Sequence, residues 1–255
     1  MIRFDCHAHV YDDATPVDGA RYTPSGPAPL DRWLSLQETV GLSGGVIVQV
    51  SFLGTDNSQL LDALGRLDRT RFAGIACVPL DAPEREIRAL AEAGVRGIRW
   101  NLVAGVALPD LESAEVQRLL VLLAAHDMHL EVQLESTRWA DYLAPLSSAP
   151  VPVVIDHLGL PVSDDAADEP WLDALERCTH RDVFHVKLSA RYRGVRNIGG
   201  HLNRVEHLLG PGRAVWGSDW PHTRFETVAR YDEGLDDLAG RLNDGPAVRK
   251  LYGIG

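Results

Sequence analysis

Two histidines separated by one residue, His7 and His9, lie in the first apolar segment of the sequence. If that segment is a strand, both imidazoles project from one side, about 7 Å apart at the backbone, and can meet at one ion or one substrate oxygen. By itself the pattern fits surface or packed histidines equally well. His157 and Asp219, which end two other apolar segments, add a third imidazole and a carboxylate. Together the four residues predict acid–base chemistry on a carbonyl or ligation of a divalent metal.

Each of these residues also has a purely structural interpretation. His157 could be a hydrogen-bonded core histidine, and Asp219 could cap a following helix. The turn-forming Gly and Pro residues in DHLG (156–159) and GSDWPH (217–222) favour strand ends instead. His222 fits a site residue and a packed residue at a helix start equally well. The following histidines are expected in exposed helical or loop positions: His126, His180, His201 and His207.

The elements that must position these residues are eight short apolar segments rich in β-branched residues. Successive segments are separated by enough residues for a helix, which is the sequence pattern of an α/β protein with a (β/α)8 TIM barrel. The polar residues that end the strands of such a barrel converge at its mouth. The predicted strands are 2–9, 45–51, 72–78, 97–103, 129–134, 151–158, 183–189 and 214–219.

Helix and loop signals complete the predicted architecture. Residues 84–94 form a helical pattern that ends at a capping glycine, and 113–127 begin with Ser113 as N-cap. The Pro/Gly-rich residues 15–29 and the acidic residues 163–170 indicate loops after the first and sixth strands. No internal boundary or linker is evident, so a single domain over 1–255 is predicted.

Alternation along the strands predicts which side chains face the barrel interior. Lys187 could line the inner face near the site, or it could lie in the lower layer of the barrel as a buried, paired lysine, and the second interpretation is favoured slightly. The polar residues expected to share a face within their own strands are Asp5, His7 and His9; His129, Glu131 and Gln133; and His185, Lys187 and Ser189.

Composition narrows the class of protein. The 255 residues are 45% hydrophobic and 24% charged, which is ordinary for a globular protein and disfavours a disordered, collagen-like or fibrous chain. No apolar run approaches the roughly 20 residues of a membrane helix, and the N-terminus lacks a secretory pattern, so a cytoplasmic location is expected. Cys6, Cys77 and Cys178 are too scattered for a disulfide framework and are expected to be free thiols. A net charge of −11 disfavours nucleic-acid and membrane partners, whereas the oligomeric state is left open.

Several motifs resemble the amidohydrolase superfamily, in its branch of 2-pyrone-4,6-dicarboxylate lactonase and related lactonases. The similarity runs essentially from end to end, and the order of the motifs is specific for the branch, although not for a substrate. The motifs are DCHAH (5–9), YTP (22–24), VIVQVSFLGTDN (46–57), GVRGIRWNLV (94–103), VPVVIDHLG (151–159), VKLSARYR (186–193) and GSDWPH (217–222).

The resemblance implies hydrolysis of a small lactone or related cyclic ester. Asp219 would act as general base on water, while His7, His9 and His157 would polarise the scissile carbonyl. The branch includes metal-free and zinc-using members, so either no cofactor or one divalent metal, zinc before others, is implied. If a metal is bound, His7, His9 and Asp219 would be its ligands.

Departures from the branch pattern concern the substrate. The dicarboxylate lactonases carry arginines where this chain has Gly105 and Leu160, and a tyrosine where it has Gln133. We therefore expect a small-molecule substrate with less negative charge, either a monocarboxylate or a neutral lactone. The residues expected to contact it are Tyr22, Ser51, Thr55, Asn57, Arg99, Asn101, Gln133, Arg191, Arg193 and His222.

Two other functions fit the same pattern. A metal-dependent non-oxidative decarboxylase would use similar histidines and would release carbon dioxide. A catalytically silent binding barrel would retain the pocket without the chemistry, although such a barrel has no need for all four of His7, His9, His157 and Asp219.

Overall fold

Eight parallel strands form one sheet, paired in chain order from β1 to β8. The structure is a computed structural model, which describes residues 2–195, 197–238 and 240–255. The predicted (β/α)8 architecture is confirmed, and every predicted segment overlaps one strand. The strands are β1 (Phe4–Ala8), β2 (Gly44–Val48), β3 (Phe72–Ala76), β4 (Val95–Asn101), β5 (His129–Gln133), β6 (Val153–Ile155), β7 (Phe184–Leu188) and β8 (Ala214–Trp216).

The sheet closes into a barrel through residues that follow β8. The backbone N–H of His9 donates to the carbonyl of Trp220 at 2.7 Å, and that of Asp219 donates to the carbonyl of His7 at 2.8 Å. Gly217 permits this approach, because a Cβ at its position would lie 2.5 Å from the His7 Cβ. The closure therefore places the two chemistry-bearing segments, around His7 and Asp219, side by side.

Helices surround the barrel. Ser113 caps α4 as predicted, since its hydroxyl accepts the backbone N–H of Val116 at 3.4 Å. Gly94 follows α3 with a φ of +99°, in the backbone region where glycine is favoured. The helices are α1 (Leu30–Thr39), α2 (Ser58–Gly65), α3 (Glu84–Glu92), α4 (Ala114–Ala125), α5 (Leu143–Leu146), α6 (Pro170–Arg177), α7 (Gly199–Leu209), α8 (Leu235–Leu238) and α9 (Gly245–Tyr252). Within the described ranges, none of these helices is long and apolar enough to cross a bilayer.

Two apolar clusters hold the fold together. The larger one fills the layer between strands and helices and includes the fully buried Trp33, and the smaller one lies inside the barrel. Leu251 and Tyr252 of α9 belong to the inner cluster, so the last helix closes the amino-terminal end of the barrel. Each large buried apolar side chain contributes roughly 1.5 to 3 kcal/mol, so this packing provides a rigid support for the opposite end.

An irregularity in β1 breaks the predicted alternation. The pairing of β1 with β2 shifts register between Asp5 and Ala8. Cys6 packs in the inner cluster, yet the next residue, His7, also faces the interior. Asp5 instead accepts the indole N–H of Trp33 in α1 at 2.9 Å. The expectation that Asp5 shares a face with His7 and His9 is therefore wrong, because a bulge places two consecutive residues inside.

Two further expectations about polar residues have clear outcomes. Lys187 is fully buried and lies 2.7 Å from Glu131, so it is the paired interior lysine. His201 was expected in solvent, and this is wrong: it is buried on α7, 3.7 Å from the Glu169 carboxylate, which also accepts the Ser136 hydroxyl. This buried carboxylate attracts the imidazole away from the surface of the helix. The three cysteines are free, as predicted.

Candidate active site

Asp219 lies in the turn after β8, at the carboxyl end of the barrel. Its backbone is left-handed, with a φ of +59°, and its side chain is almost fully buried. A non-glycine residue in this conformation costs free energy, and it persists because its N–H bond to His7 and the neighbouring strands fix the turn. The turn thereby aims the carboxylate across the barrel mouth.

Three imidazoles surround one oxygen of this carboxylate. The Nε2 atoms of His7, His9 and His157 lie 3.6, 3.5 and 4.0 Å from Asp219 Oδ1. The rings of His7 and His157 are 4.7 Å apart, and those of His7 and His9 are 5.0 Å apart. The structure thus brings together all four residues that the sequence nominates for catalysis.

The second oxygen of Asp219 is held by groups that follow β7. Tyr192 donates its hydroxyl to Oδ2 at 2.5 Å, and Arg193 Nε donates to the same oxygen at 3.0 Å. The Arg193 guanidinium also stacks on the rings of Tyr192 and Phe225, at 5.3 and 5.0 Å. Burial alone would raise the pKa of Asp219, but the positive charge of Arg193, with the histidines, brings it well below its usual value. Asp219 is therefore an anion at neutral pH, with Oδ1 facing the histidines.

His157 reaches the same point through a left-handed turn. Residues 157–160 all have positive φ, from 50° to 70°. The ring Nδ1 lies 2.8 Å from the Ser189 hydroxyl. Burial lowers the pKa of His157 to about 4, more than the nearby Asp219 raises it, so the ring is neutral at pH 7. With Ser189 donating to Nδ1, the Nε2–H is available as a donor towards the site.

Asp156, which sequence reasoning missed, lies beneath the histidines at the centre of a buried charge network. Its carboxylate is 3.5 Å from His7 Nδ1, 3.4 Å from Lys187 Nζ and 2.8 Å from Arg99 Nε. Burial would raise the pKa of Asp156, but Lys187 and Arg99 hold it well below its usual value. Burial, followed by the charge of Lys187, lowers the pKa of His7 well below its usual value. The network therefore keeps an anion under a neutral imidazole.

A cavity of about 150 Å³ opens above these groups. Nine residues that the sequence predicts for catalysis or substrate contact line this cavity, together with five residues that were not predicted at the site. Two of those five, Arg21 and Arg224, are charged. The predicted residues in its lining are His9, Tyr22, Ser51, Arg99, Asn101, Gln133, His157, Arg193 and Asp219, and the others are Arg21, Val103, Ala104, Thr223 and Arg224.

Four predicted substrate contacts are absent from the described lining of this cavity. Thr55 is exposed, and the Asn57 amide is engaged by the backbone of Cys77 at 2.8 Å. Arg191 forms an ion pair with Asp237 at 2.8 Å. His222 is buried behind the site against Tyr192, with the two rings 5.8 Å apart. Their positions give Asn57, Arg191 and His222 supporting contacts in place of a direct path to the substrate.

The donor set is compatible with a divalent metal. His7, His157 and Asp219 offer ligand atoms within 4.8 Å of one another, and His9 Nε2 is close to the same carboxylate oxygen. His9 Nδ1 lies 2.8 Å from the Val48 carbonyl, which can only accept, so Nδ1 carries a proton and Nε2 is the ring nitrogen that faces the Asp219 carboxylate. A backbone carbonyl on the second ring nitrogen is typical of metal-ligating histidines.

A closed parallel barrel with histidines and an aspartate at its carboxyl end defines an α/β-barrel enzyme with a hydrolytic type of site. The chain belongs to the amidohydrolase family, which it matches over residues 4–253.

Comparisons with known proteins place it near lactone hydrolases. It is 26% identical to the 4-sulfomuconolactone hydrolase of Hydrogenophaga intermedia, over 94% of this chain and 81% of that one. It is 25% identical to the 2-pyrone-4,6-dicarboxylate hydrolase of Comamonas testosteroni, over 91% and 80%. A crystal structure from Acinetobacter baumannii, described as a probable 2-pyrone-4,6-dicarboxylic acid hydrolase with citric acid bound, has a TM-score of 0.89 at 26% identity, and the match covers 100% of both chains.

Proposed function

We propose that this enzyme hydrolyses a small lactone that carries one carboxylate. The observation that carries the proposal is the convergence of three imidazole Nε2 atoms, at 3.5 to 4.0 Å, on one free oxygen of a buried, ionised aspartate at the cavity floor. This arrangement supplies a proton acceptor and nearby donors at one point, which ester hydrolysis requires. The similarity to lactone hydrolases supports the substrate class.

Asp219 acts as the general base. Oδ1 accepts a proton from water as the water oxygen bonds to the carbonyl carbon, while Oδ2 stays fixed by Tyr192 and Arg193. The carbon–oxygen bond of the ring then breaks, and the ring oxygen takes the proton from Asp219. One lactone and one water give one hydroxy acid, and the carboxylate of Asp219 is regenerated.

The histidines stabilise the oxyanion. His157 is neutral and presents Nε2–H, because Ser189 can satisfy its Nδ1. His7 is held over Asp156, and His9 is fixed by the Val48 carbonyl. Donors fixed before the reaction lower the barrier because they need no reorganisation as charge develops.

A divalent cation, if bound, would be held by His7, His157 and Asp219, with His9 beside them, and would polarise the carbonyl and acidify water. The protein's own charges already balance without it. Arg99 pairs with Asp156, Arg193 with Asp219 and Lys187 with Glu131, so three buried carboxylates face three cationic side chains. We therefore propose that the hydrolysis does not require a metal.

Size and charge restrict the substrate to a small ring with limited negative charge. The cavity of about 150 Å³ admits a five- or six-membered lactone with short substituents. Gln133 accepts a hydrogen bond from Arg99 at 2.6 Å, so this part of the wall is occupied by an internal contact. Neither Gly105 nor Leu160 supplies a cation, in line with a monocarboxylate as substrate.

A lactone panel tests this proposal. Five- and six-membered lactones, neutral, monocarboxylated and dicarboxylated, are incubated with the enzyme, and proton release is followed with a pH indicator. We expect the highest kcat/KM for a monocarboxylated lactone, above that for 2-pyrone-4,6-dicarboxylate. Carbon dioxide release from hydroxylated aromatic acids, without lactone turnover, would identify a decarboxylase instead. Binding without any turnover would identify a silent barrel.

We also propose a cytoplasmic location and no nucleic-acid partner. Three free thiols suit a reducing compartment, and a net charge of −11 opposes binding to phosphate backbones. Fractionation of the native host cell, with detection by antibody, checks the location.

A further inference from the structure

The cavity is lined by four arginines, and two of them are already paired. Arg99 Nε donates to Asp156 at 2.8 Å, and Arg193 Nε donates to Asp219 at 3.0 Å. Both partners are buried carboxylates. Burial would raise their pKa values, but Lys187 and Arg99 lower the pKa of Asp156, and Arg193 lowers that of Asp219. Since each charge is offset within the protein, neither Arg99 nor Arg193 adds net positive charge for an incoming anion.

Arg21 and Arg224 are the other two, and both lie at the rim. Arg21 is in the loop after β1, and Arg224 is in the segment after β8 with a φ of +72°. Both are exposed, both line the cavity, and neither forms an ion pair with any residue in the described ranges. Arg21 is anchored across the mouth by a hydrogen bond of 2.5 Å from Nη1 to the Val103 carbonyl. Each of the two loops therefore contributes one guanidinium group to the lining of the same cavity.

We propose that Arg21 and Arg224 form an anion subsite at this rim, which binds the negatively charged group of the substrate. The position of the reacting carbonyl relative to this subsite rests on the proposed function. The subsite itself rests on two guanidinium groups that have no carboxylate partner within the described ranges. A guanidinium can bind a carboxylate or a sulfonate through two parallel hydrogen bonds. The subsite would select anionic lactones over neutral ones and would counteract the repulsion of anions by a protein of net charge −11.

Citrate binding tests the subsite independently of turnover. Citrate is a small polycarboxylate that cannot be hydrolysed, so isothermal titration measures its affinity for wild-type enzyme, Arg21→Gln, Arg224→Gln and the double variant. Arg88→Gln is the matched control, since Arg88 is exposed on α3, away from the cavity. Each rim variant should lose about 10-fold or more in affinity, as expected for a charge-assisted contact. The control should bind citrate as the wild type does.

Kinetics on lactones provides the second measurement. For a monocarboxylated lactone, both rim variants should raise KM and keep kcat, because the contact is made equally in ground and transition states. A neutral lactone of the same ring should be hydrolysed by the rim variants and the wild type alike. Circular dichroism and melting curves confirm that all variants are folded.

Three outcomes would overturn the subsite: no citrate binding by the wild type, wild-type citrate affinity in the double variant, or equal losses on neutral and anionic lactones. Failure of every lactone to react would refute the proposed function alone. In that case citrate binding that depends on Arg21 and Arg224 would still support the anion subsite.

Discussion

The two oxygens of Asp219 have different environments, and this asymmetry makes a specific prediction. Asp219→Asn retains the shape and the contacts that hold one oxygen, but it removes the proton acceptor. We expect kcat on a confirmed lactone to fall by about 10²- to 10⁴-fold, the usual contribution of general-base catalysis. Steady-state kinetics measures the loss. Wild-type kcat in this variant would show that Asp219 is not the base.

His157→Asn is the comparison for that experiment. It removes one of several groups that polarise the carbonyl, so its effect on kcat should be smaller than that of Asp219→Asn. Both variants must remain folded, which circular dichroism and a melting curve establish. A larger loss in His157→Asn would assign the base role to the imidazole instead.

Metal removal tests the charge balance around the same residues. Because Arg99, Lys187 and Arg193 offset the buried carboxylates, treatment with a chelator such as EDTA should leave kcat/KM unchanged. Elemental analysis before and after treatment verifies the removal of metal. Loss of activity that returns on addition of zinc would show that a metal bound by His7, His157 and Asp219 is required.

At the scale of single residues, the sequence predicted the four central site residues but not the charged residues that support them. His7, His9, His157 and Asp219 follow apolar segments, and turn residues mark their positions. Asp156 was missed because it precedes His157 directly, and alternation would place the two on opposite faces. The left-handed turn brings both to the interior, and no local pattern identifies such a turn when leucine occupies two of its positions.

The turn after β6 is the element on which His157 depends most. Gly159 has a φ of +70°, and a Cβ there would lie 2.7 Å from the Trp171 ring. Gly159→Ala should therefore destabilise the protein by roughly 2 to 4 kcal/mol, from left-handed strain and overpacking combined, and should lower kcat by displacing His157. Urea unfolding and lactone kinetics measure the two effects.

Gly253→Ala is the matched control for the turn. Gly253 is left-handed, with φ +65° and ψ 21°, and a Cβ at this position would meet only Arg96 Nε, at an ordinary contact distance of 3.7 Å. Since Gly253 follows α9, away from the mouth, its variant should lose only about 1 to 2 kcal/mol and keep full activity. Equal activity losses in both glycine variants would show that general destabilisation, and not displacement of His157, accounts for the effect.

The regular elements were more predictable than the irregular ones. Eight β-branched segments with helical patterns between them define the barrel because strand and helix periods are local properties. The bulge in β1 was not predicted, since it depends on the closing contact between Gly217 and His7, which are distant in sequence. The cavity rim was not predicted either, because Arg21 and Arg224 are in loops without periodicity.

The barrel interior as a whole combines an apolar lower layer with a charged upper layer. Leu251 and Tyr252 close the lower end, and Tyr252 also donates its hydroxyl to Glu131 at 3.3 Å. From Glu131 the network continues through Lys187 to Asp156 and the site. The packing of the last helix is therefore linked physically to the charges that support the histidines, although the two ends are far apart in sequence.

The buried histidines make the stability of the whole molecule depend on pH. Burial lowers the pKa of His185 to about 3 and that of His157 to about 4, against 6.5 for an ordinary histidine. Between pH 6.5 and about 4 the unfolded chain therefore binds protons that the folded protein does not, and the free energy of unfolding should fall as the pH is lowered through this range. The pKa values of Asp156 and Asp219 are lowered in the folded protein, so these two residues reduce the free energy of unfolding further only at lower pH, below 3.8.

Urea unfolding at a series of pH values from 7 to 4.5 measures this fall. His185→Gln should reduce it, because the variant removes a group that takes up a proton only on unfolding, whereas His180→Gln, at an exposed position, should leave it unchanged. The lactone kinetics of His185→Gln should match the wild type at neutral pH, since His185 does not line the described cavity. A free energy of unfolding that stays constant from pH 7 to 4.5, or one that falls equally in His185→Gln and the wild type, would mean that burial does not keep this histidine neutral in the folded protein.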